Sequence, residues 1–466
     1  MDQQKLLQFI NQQWEESILP ALMAYIKIPN KSPHFDRDWQ AHGYMEQAVT
    51  LIANWCKAHT LPGMIVDVVR LPERTPLIFI DIPGQLNDTV LLYGHLDKQP
   101  EMSGWDADLD PWQPVLRDDR LYGRGAADDG YAAFASLTAI NALYQQKIPY
   151  PRCIILIEAC EESGSFDLPF YIDALKERIG QPRLIICLDS GCGNYQQLWL
   201  TTSLRGLISG SLTISTLTEG VHSGLGSGVA PGCFRILRQL LDRIENPATG
   251  DIVLPQLQVA IPPERIQQAE QAAKILGDTL FTELPWQPAM QPESSNLTEL
   301  ILRRTWKPAL AVTGCDGIPA MENAGNVTLP TLTVKLSMRL PPTCDPDQAA
   351  QVLKHCLETA PPYQAQVQFN IQDTGPGWNA PLEQAWLAKA AKQASEQYFG
   401  KESAYLGEGG SIPFMGMLGK KFPEAQFLIT GVLGPASNAH GPNEFLHIPM
   451  GKKLTACVAE VVAGVR

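Results

Sequence analysis

In the first part of this chain, short continuous apolar runs alternate with stretches whose apolar residues have helical spacing. This alternation is the sequence feature that most constrains the fold. The apolar runs are residues 77–82, 90–93, 153–158 and 184–188. Helical spacing is found at residues 6–28, 44–58 and 131–144. Because a strand buried on both faces has no polar side, such runs are typical of a largely parallel sheet covered by helices. The sequence therefore predicts an α/β fold.

A different pattern begins near Ser203 and ends near residue 376. Residues 207–215, 332–340 and 366–372 read as strands, and residues 233–244 have helical spacing. A second helix should start at Asp345 and Pro346, since Asp caps helix N-termini and Pro suits the first helical position. Strand, helix, strands, helix and strand describe a small α+β sandwich of the ferredoxin-like, split βαβ type.

The first pattern resumes after residue 376. A helix is predicted at residues 382–398, a strand at 426–430 and a final helix at 451–465. We therefore predict one domain made of residues 1–203 and 377–466, with residues 204–376 inserted into it as a second domain.

Composition and charge exclude several classes of protein. Hydrophobic residues make up 45% of the 466 residues and charged residues 18%, a globular balance that argues against disorder. The formal net charge of −13 opposes binding to nucleic acid or to an anionic membrane. No apolar run approaches the roughly 18 residues of a membrane span, and no secretory signal is apparent. Ten scattered cysteines suit reduced thiols, so we expect a soluble, cytoplasmic protein.

Acids and histidines follow the apolar runs or lie in a glycine-bearing turn before a helix. These residues are His95, Asp97, Asp128, Glu161, Glu162, Asp189 and His440. Because ligand sites of open α/β sheets lie beyond the carboxyl ends of strands, we expect these side chains to converge. Two imidazoles and several carboxylates suit zinc, with manganese as the alternative. With a bridging carboxylate, so few ligands can hold two divalent ions about 3.5–4 Å apart.

The same segments carry motifs that resemble the carnosine dipeptidase, glutamate carboxypeptidase and aminoacylase family of two-metal peptidases. The motifs are HLDKQP from residue 95, GWD from 104, LYGRGAADD from 121, EESGS from 161, GGSIP from 409 and AHGPNE from 439. The resemblance spans nearly the whole chain in order. It implies a zinc-exopeptidase-like catalytic domain, an inserted lid domain that carries the dimer interface, and hence a homodimer.

The resemblance also implies the metal ligands, position by position. Asp128 would bridge two metals. His95 and Asp189 would hold one of them, and Glu162 and His440 would hold the other.

Two further acids receive roles from the resemblance. Asp97 would accept a hydrogen bond from His95 and fix its tautomer, as metal-bound imidazoles require. Glu161 would be the general base, taking a proton from a water that bridges the metals and passing it to the leaving amine. Partial burial should raise the pKa of Glu161 toward the value that both steps need.

Substrate contacts are implied in the lid and in one loop. His222 matches a lid histidine that reaches the partner subunit's site and stabilises the oxyanion. Arg339 matches a lid arginine that binds the free carboxylate of the substrate. Gly410 and Ser411 could donate hydrogen bonds to the substrate, although a purely structural turn fits these residues equally well.

Two positions depart from the family pattern. Gly130 stands where the family usually has lysine, which leaves any contact of that lysine open but does not affect the metal ligands. Gly407 stands where dipeptidase relatives often have arginine, so substrate preference at the carboxylate end is open. Glu444 could orient His440 or cap a helix.

The predicted function is hydrolysis of the amide bond of a dipeptide, or of a similarly small peptide with a free carboxylate, by a water activated between two metals. An N-acyl amino acid deacylase or desuccinylase with the same metal centre is the alternative. A non-catalytic binding or assembly relative is a further alternative, which the presence of every ligand and of the base argues against.

Overall fold

A six-stranded sheet lies at the centre of the computed structural model, which describes residues 1–410 and 412–465. In spatial order its strands are Ile65–Val69, Leu77–Ile82, Pro151–Glu158, Leu86–His95, Leu184–Cys187 and Gln426–Ile429. The last four strands are parallel, while the first two pair antiparallel at one edge. Every predicted apolar run lies in this sheet. The prediction of a mostly parallel sheet is confirmed, and the antiparallel edge is an addition to it.

Both faces of this central sheet are buried. Val90 and Leu92 pack into one hydrophobic cluster, and the alternate residues Leu91 and Tyr93 pack into another. On the first face lie the helices Gln3–Gln13, Leu19–Ile26, Tyr44–Ala58, Ala132–Gln145, Ala385–Phe399 and Ile448–Gly464. On the second lie Leu168–Ala174 and Pro413–Lys421. A strand buried on both sides needs apolar residues at every position, which is why its sequence shows no alternation.

The first predicted helix, residues 6–28, is interrupted. One π turn, Trp14–Ile18, joins Gln3–Gln13 to Leu19–Ile26. The apolar spacing continues through the turn, since Trp14 and Ile18 are buried like the residues on either side. Periodicity therefore predicts the buried face but not the turn.

The inserted segment forms a second sheet of four antiparallel strands. In spatial order they are Ala309–Asp316, Thr331–Leu340, Gly206–Ser215 and Gln366–Gly375. Counted along the chain, this order is second, third, first and fourth, as in the ferredoxin-like arrangement. The helices Cys233–Leu241 and Pro346–Glu358 cover one face of this lid sheet, and Asp345 caps the second helix through the main-chain N–H of Gln348. The predicted fold class is confirmed, while the boundaries at residues 203 and 376 stay predictions.

Part of the inserted segment was not predicted. The strand Ala309–Asp316 is an edge strand that is exposed from Ala311 onward, so it lacks the alternation of a half-buried strand. The helices Pro263–Leu276 and Leu297–Thr305 pack against the strand Ala404–Glu408 of a three-stranded sheet. The other two strands of that sheet are Trp199–Leu204 and Trp378–Asn379.

A last, small sheet joins distant parts of the chain. Its strand Phe445–His447 pairs antiparallel with Arg120–Tyr122, which pairs in turn with Val115–Arg117. This pairing brings the loop that carries His440 next to the turn that carries Asp128. Within the described part of the chain, no helix combines the length and apolar character that a bilayer crossing requires.

Candidate metal centre

The predicted ligands come from strand ends and from the turns that follow them. His95 is the last residue of the strand Leu86–His95, and Asp189 comes just after Leu184–Cys187. Glu162 lies in the 3₁₀ turn Glu161–Ser163, and Asp128 lies in the turn Ala126–Gly130. His440 lies in the loop before Phe445–His447. Parallel strands place their carboxyl ends at one edge, which explains why residues far apart in sequence meet here.

These side chains form two groups that share one residue. In the first group, His95 Nε2 lies 3.2 Å from Asp128 Oδ1 and 3.7 Å from Asp189 Oδ2. In the second, His440 Nε2 lies 2.9 Å from Asp128 Oδ2 and 3.3 Å from Glu162 Oε2. The two carboxylate oxygens of Asp128 therefore belong to different groups.

The donor spacing suits metal ions. Around a tetrahedral zinc with bonds of about 2.0–2.1 Å, neighbouring ligand atoms lie roughly 3.3 Å apart. The four distances, 2.9–3.7 Å, scatter around that value. The donors are imidazole nitrogens and carboxylate oxygens, which zinc and manganese both accept. The residues present thus fit a pair of divalent ions bridged by Asp128.

The electrostatics of these two groups of side chains also favour a bound cation. Burial, together with the charges of Asp128 and Glu161, raises the pKa of Glu162 well above its usual range. Burial disfavours ionised Asp128 as well, but hydrogen bonds from His440 and His95 hold its pKa low. Against the effect of burial, contact with Asp128 raises the pKa of His440. Metal binding must therefore release protons, and metal affinity should rise with pH.

Asp97 lies beside His95, and its carboxylate also binds the turn that carries Glu161 and Glu162. The nearest acceptor for His95 Nδ1 is the main-chain oxygen of Asp97 at 3.1 Å, while the carboxylate is 3.5 Å away. The two carboxylate oxygens accept the main-chain N–H groups of Glu161 and Glu162, both at 3.0 Å. Asp97 thus fixes the turn on which the predicted base and a predicted ligand are neighbours.

Glu161 has the environment that the base was expected to need. Burial, and then the negative charge of Asp189, raises the pKa of Glu161 well above that of an ordinary glutamate. A carboxylate with a raised pKa can both accept and return a proton near neutral pH.

A buried ion pair not predicted from the sequence joins two loops of the site. Arg124 donates to Glu444 and to the main-chain oxygen of Gly441, and Glu444 also accepts the N–H of Gly125 at 2.9 Å. Both charged side chains are almost wholly buried. Glu444 therefore neither contacts His440 nor caps a helix; it ties the His440 loop to the turn before Asp128. In the sequence, Arg124 stands out only as an arginine between two glycines, and this pattern does not predict that it pairs with Glu444.

The structure keeps the predicted substrate residues outside both metal groups. His222 lies in the short strand Val221–His222 of the inserted domain, is exposed, and accepts the N–H of Gly224. Arg339 is partly buried in the lid sheet, where it pairs in register with Leu207 and Ala309. Gly410 is exposed, and its carbonyl accepts the N–H of Arg205 at 3.0 Å. Ser411 lies outside the described residues.

The two glycines that depart from the family pattern leave no room for a side chain. A Cβ at Gly130 would collide with the ring of Tyr25 and with the carbonyl of Gly125, and a Cβ at Gly407 would collide with the Ser203 hydroxyl. Lys98 is buried nearby and donates to the main-chain oxygens of Tyr25 and Ile28, both at 2.8 Å. A buried lysine is therefore present here, but it comes from the loop after His95.

Comparisons with known proteins show what this chain is similar to in sequence and fold. The model of peptidase family M20/M25/M40 matches residues 91–464. The chain is 28% identical to a cysteinylglycine-S-conjugate dipeptidase of Corynebacterium striatum, over 84% of this chain and 85% of that protein. It is 26% identical to a β-Ala-His dipeptidase of Homo sapiens, over 82% and 76% of the two chains. The crystal structure of human carnosine dipeptidase 1 superposes with a TM-score of 0.77 at 20% identity, covering 100% of this chain and 99% of that one.

Proposed function

The chain belongs to peptidase family M20/M25/M40, and from that premise we propose that it is a dipeptidase with two divalent ions in one centre. The shared carboxylate of Asp128 is the observation that carries the two-metal proposal, because its two oxygens lie against two different histidines. The relatives that cover most of the chain are dipeptidases by name, which supports a dipeptide substrate.

In this proposal five residues hold the ions. Asp128 bridges them, His95 and Asp189 complete one site, and Glu162 and His440 complete the other. Zinc is the proposed metal and manganese the alternative, since both accept this mixture of nitrogen and oxygen donors.

The protein supplies a base and a fixed geometry for hydrolysis. When bound, the two ions would polarise the scissile carbonyl and lower the pKa of a water held between them. Glu161 takes a proton from the attacking water and returns it to the leaving amine. Asp97 holds the Glu161–Glu162 turn through two main-chain hydrogen bonds, so the base keeps its position while the proton moves.

The substrate's free carboxylate is assigned to Arg339, with Gly410 and Ser411 as further contacts. A guanidinium can bind a carboxylate with two parallel hydrogen bonds, which fixes both charge and orientation. In support of this assignment, Arg339 has no carboxylate within 4.0 Å in the described part of the protein, so its charge is free to meet that of a substrate.

We also propose a homodimer formed through the inserted domain. The outer edge of Ala309–Asp316 is unpaired among the described strands, and an unpaired edge can accept a strand of a second copy. Large apolar side chains are exposed nearby, among them Val229, Met321 and Val327, which is the register partner of His222. In such a dimer His222 would serve the partner subunit's site and stabilise the oxyanion.

The shared site makes a test possible with two inactive variants. A His222→Ala chain has an intact metal centre, and a Glu161→Ala chain has an intact His222. After random subunit exchange, we expect the mixture to regain up to about a quarter of wild-type activity, because each heterodimer holds one complete site. Dipeptide hydrolysis measured before and after exchange checks this. Exchange that is verified by mass but restores nothing would exclude the shared site.

The proposed reaction is tested with metal-stripped protein reloaded with zinc or manganese. We expect hydrolysis of a panel of dipeptides and little hydrolysis of the corresponding N-acetyl and N-succinyl amino acids. Cleavage of the N-acyl compounds alone would support the deacylase or desuccinylase instead. Protein that binds metal but cleaves neither panel would support a non-catalytic relative.

The cysteines support a proposal for the compartment. All ten are unpaired and most are buried, which supports a reducing compartment, and we propose the cytoplasm.

A further inference from the structure

Three arginines meet beside the Gly409–Gly410 loop without a carboxylate partner. Arg205 is only 8% exposed; its guanidinium donates to the main-chain oxygen of Gly409 at 3.1 Å and of Lys307 at 3.3 Å. A Cβ at Gly409 would lie 3.3 Å from Arg205 Nη2 and 3.3 Å from Arg304 Cγ, so the loop touches both side chains. Within the described residues, Arg205, Arg304 and Arg339 have no carboxylate oxygen within 4.0 Å.

A cavity of about 610 Å³ opens beside these arginines. Arg205 and Arg304 line it together with Phe281, Trp286 and Ala309. Ala309 is the register partner of Arg339 in the lid sheet. Because side chains of register partners lie on the same face of a sheet, Arg339 is on the face of the lid sheet that borders this cavity.

A second cavity lies between this one and the segment that follows Asp189. This second cavity, of about 290 Å³, shares Arg304 with the first and reaches Gly191 and Glu408. Gly191 comes two residues after the proposed ligand Asp189, and Glu408 accepts its main-chain N–H at 2.6 Å. Arg304 and the segment that carries Asp189 therefore border the same cavity.

The other cations on the wall are already neutralised. Arg303 lies 2.7 Å from Asp251, and Lys307 lies 2.6 Å from Glu299. Glu245 and Glu293 also line the cavity, and Glu293 lies 3.3 Å from Arg303. Within the described residues, Arg205 and Arg304 remain without a carboxylate oxygen within 4.0 Å, although Arg304 is exposed and the charges of Glu408 and Glu283 act on it. Keeping the Arg205 guanidinium buried without a carboxylate is costly, and an anionic ligand offsets that cost.

We propose that this cavity binds a second carboxylate, carried on the side chain of the substrate residue whose free carboxylate meets Arg339. The inference rests on the proposed dipeptidase function and names its substrate class, dipeptides that end in an acidic residue. Arg304 is the specificity-determining contact, since it lines both cavities and is not fixed by main-chain hydrogen bonds as Arg205 is.

The test compares Ala-Glu with Ala-Gln, which differ in one charge and hardly in size. For the metal-loaded wild-type protein, kcat/KM should be at least about tenfold higher for Ala-Glu, mainly through a lower KM, because hydrogen bonds to charged groups are worth more than neutral ones. Arg304→Gln should bring the ratio close to one, and Arg304→Lys should keep part of it. Arg70→Gln, which removes an exposed charge on the edge strand side of the central sheet, should leave the ratio unchanged.

Binding of L-glutamate and L-glutamine, measured in parallel by calorimetry, separates the two proposals. If neither dipeptide is cleaved but glutamate binds tenfold more tightly and loses this advantage in Arg304→Gln, the dipeptidase proposal fails and the carboxylate site stands. Equal cleavage of Ala-Glu and Ala-Gln, or a ratio that Arg304→Gln does not change, would overturn the site and leave the dipeptidase intact.

Discussion

Replacing Glu161 with glutamine should lower kcat by about 10²–10⁴-fold, the usual contribution of a general acid–base group, while metal ions stay bound. Glutamine has nearly the same shape as glutamate but cannot accept the proton of the attacking water. Glu161 belongs to neither of the two donor groups, in which Asp128 and Glu162 supply the carboxylates around His440. The expected result is thus a folded, metal-loaded and almost inactive protein.

Its neighbour Glu162 provides the matched control. Both residues lie in the same 3₁₀ turn, and both main-chain N–H groups bind Asp97. Glu162→Gln should weaken one metal site, because Glu162 Oε2 lies 3.3 Å from His440 Nε2 in the second donor group. Metal content by elemental analysis and kcat at saturating dipeptide distinguish the two variants. A Glu161→Gln protein that loses metal, or that keeps wild-type turnover, would remove Glu161 from its role as base.

The meeting of some residues of the candidate metal centre could be predicted because the pattern that places them is local. A strand such as Leu86–His95 is recognisable from its apolar run, residues 90–93, and its carboxyl end lies two residues beyond that run. Once several parallel strands are known, their ends must share one edge. The meeting of His95 and Asp189 therefore needs no knowledge of loops, whereas Asp128 reaches them from the turn Ala126–Gly130.

Contacts between distant loops could not be anticipated in the same way. Arg124 and Glu444 are 320 residues apart in sequence, and they meet because Phe445 pairs with Tyr122 in a small sheet. Neither short strand has a periodicity that distinguishes it from a loop. Similarly, the Asp97 carboxylate accepts hydrogen bonds from two main-chain N–H groups. Every residue except proline has such a group, so the sequence does not predict which ones Asp97 binds.

The inserted domain shows a third limit. The two helices that cover its sheet and its central strands repeat or alternate clearly, and they were predicted, while the helices Pro263–Leu276 and Leu297–Thr305 were not. Its edge strand Ala309–Asp316 is mostly exposed, so burial imposes no pattern on its side chains. Arg205 and Arg304 were not predicted as a pair either, since they meet only where the helix Leu297–Thr305 packs beside the Gly409–Gly410 loop.

Replacing Asp128 with asparagine should weaken the binding of both metal ions. An amide offers one good acceptor where the carboxylate offers two, and it carries no charge. Changes to groups that only support a metal ligand already cost about 10–100-fold in affinity, so loss of the bridging ligand should cost more than about a hundredfold at each site. Competition with a coloured chelator at fixed pH measures both affinities.

Asp189→Asn is the comparison that makes the bridge testable. Asp189 Oδ2 lies 3.7 Å from His95 Nε2, and the residue belongs to the first donor group alone. Its replacement should weaken one ion and spare the other. If Asp128→Asn also weakened a single ion, its two oxygens would not serve two metals, and the centre would consist of separate sites. If it weakened both while Asp189→Asn weakened one, the carboxylate that lies against two histidines would be the residue that makes the two sites a single centre.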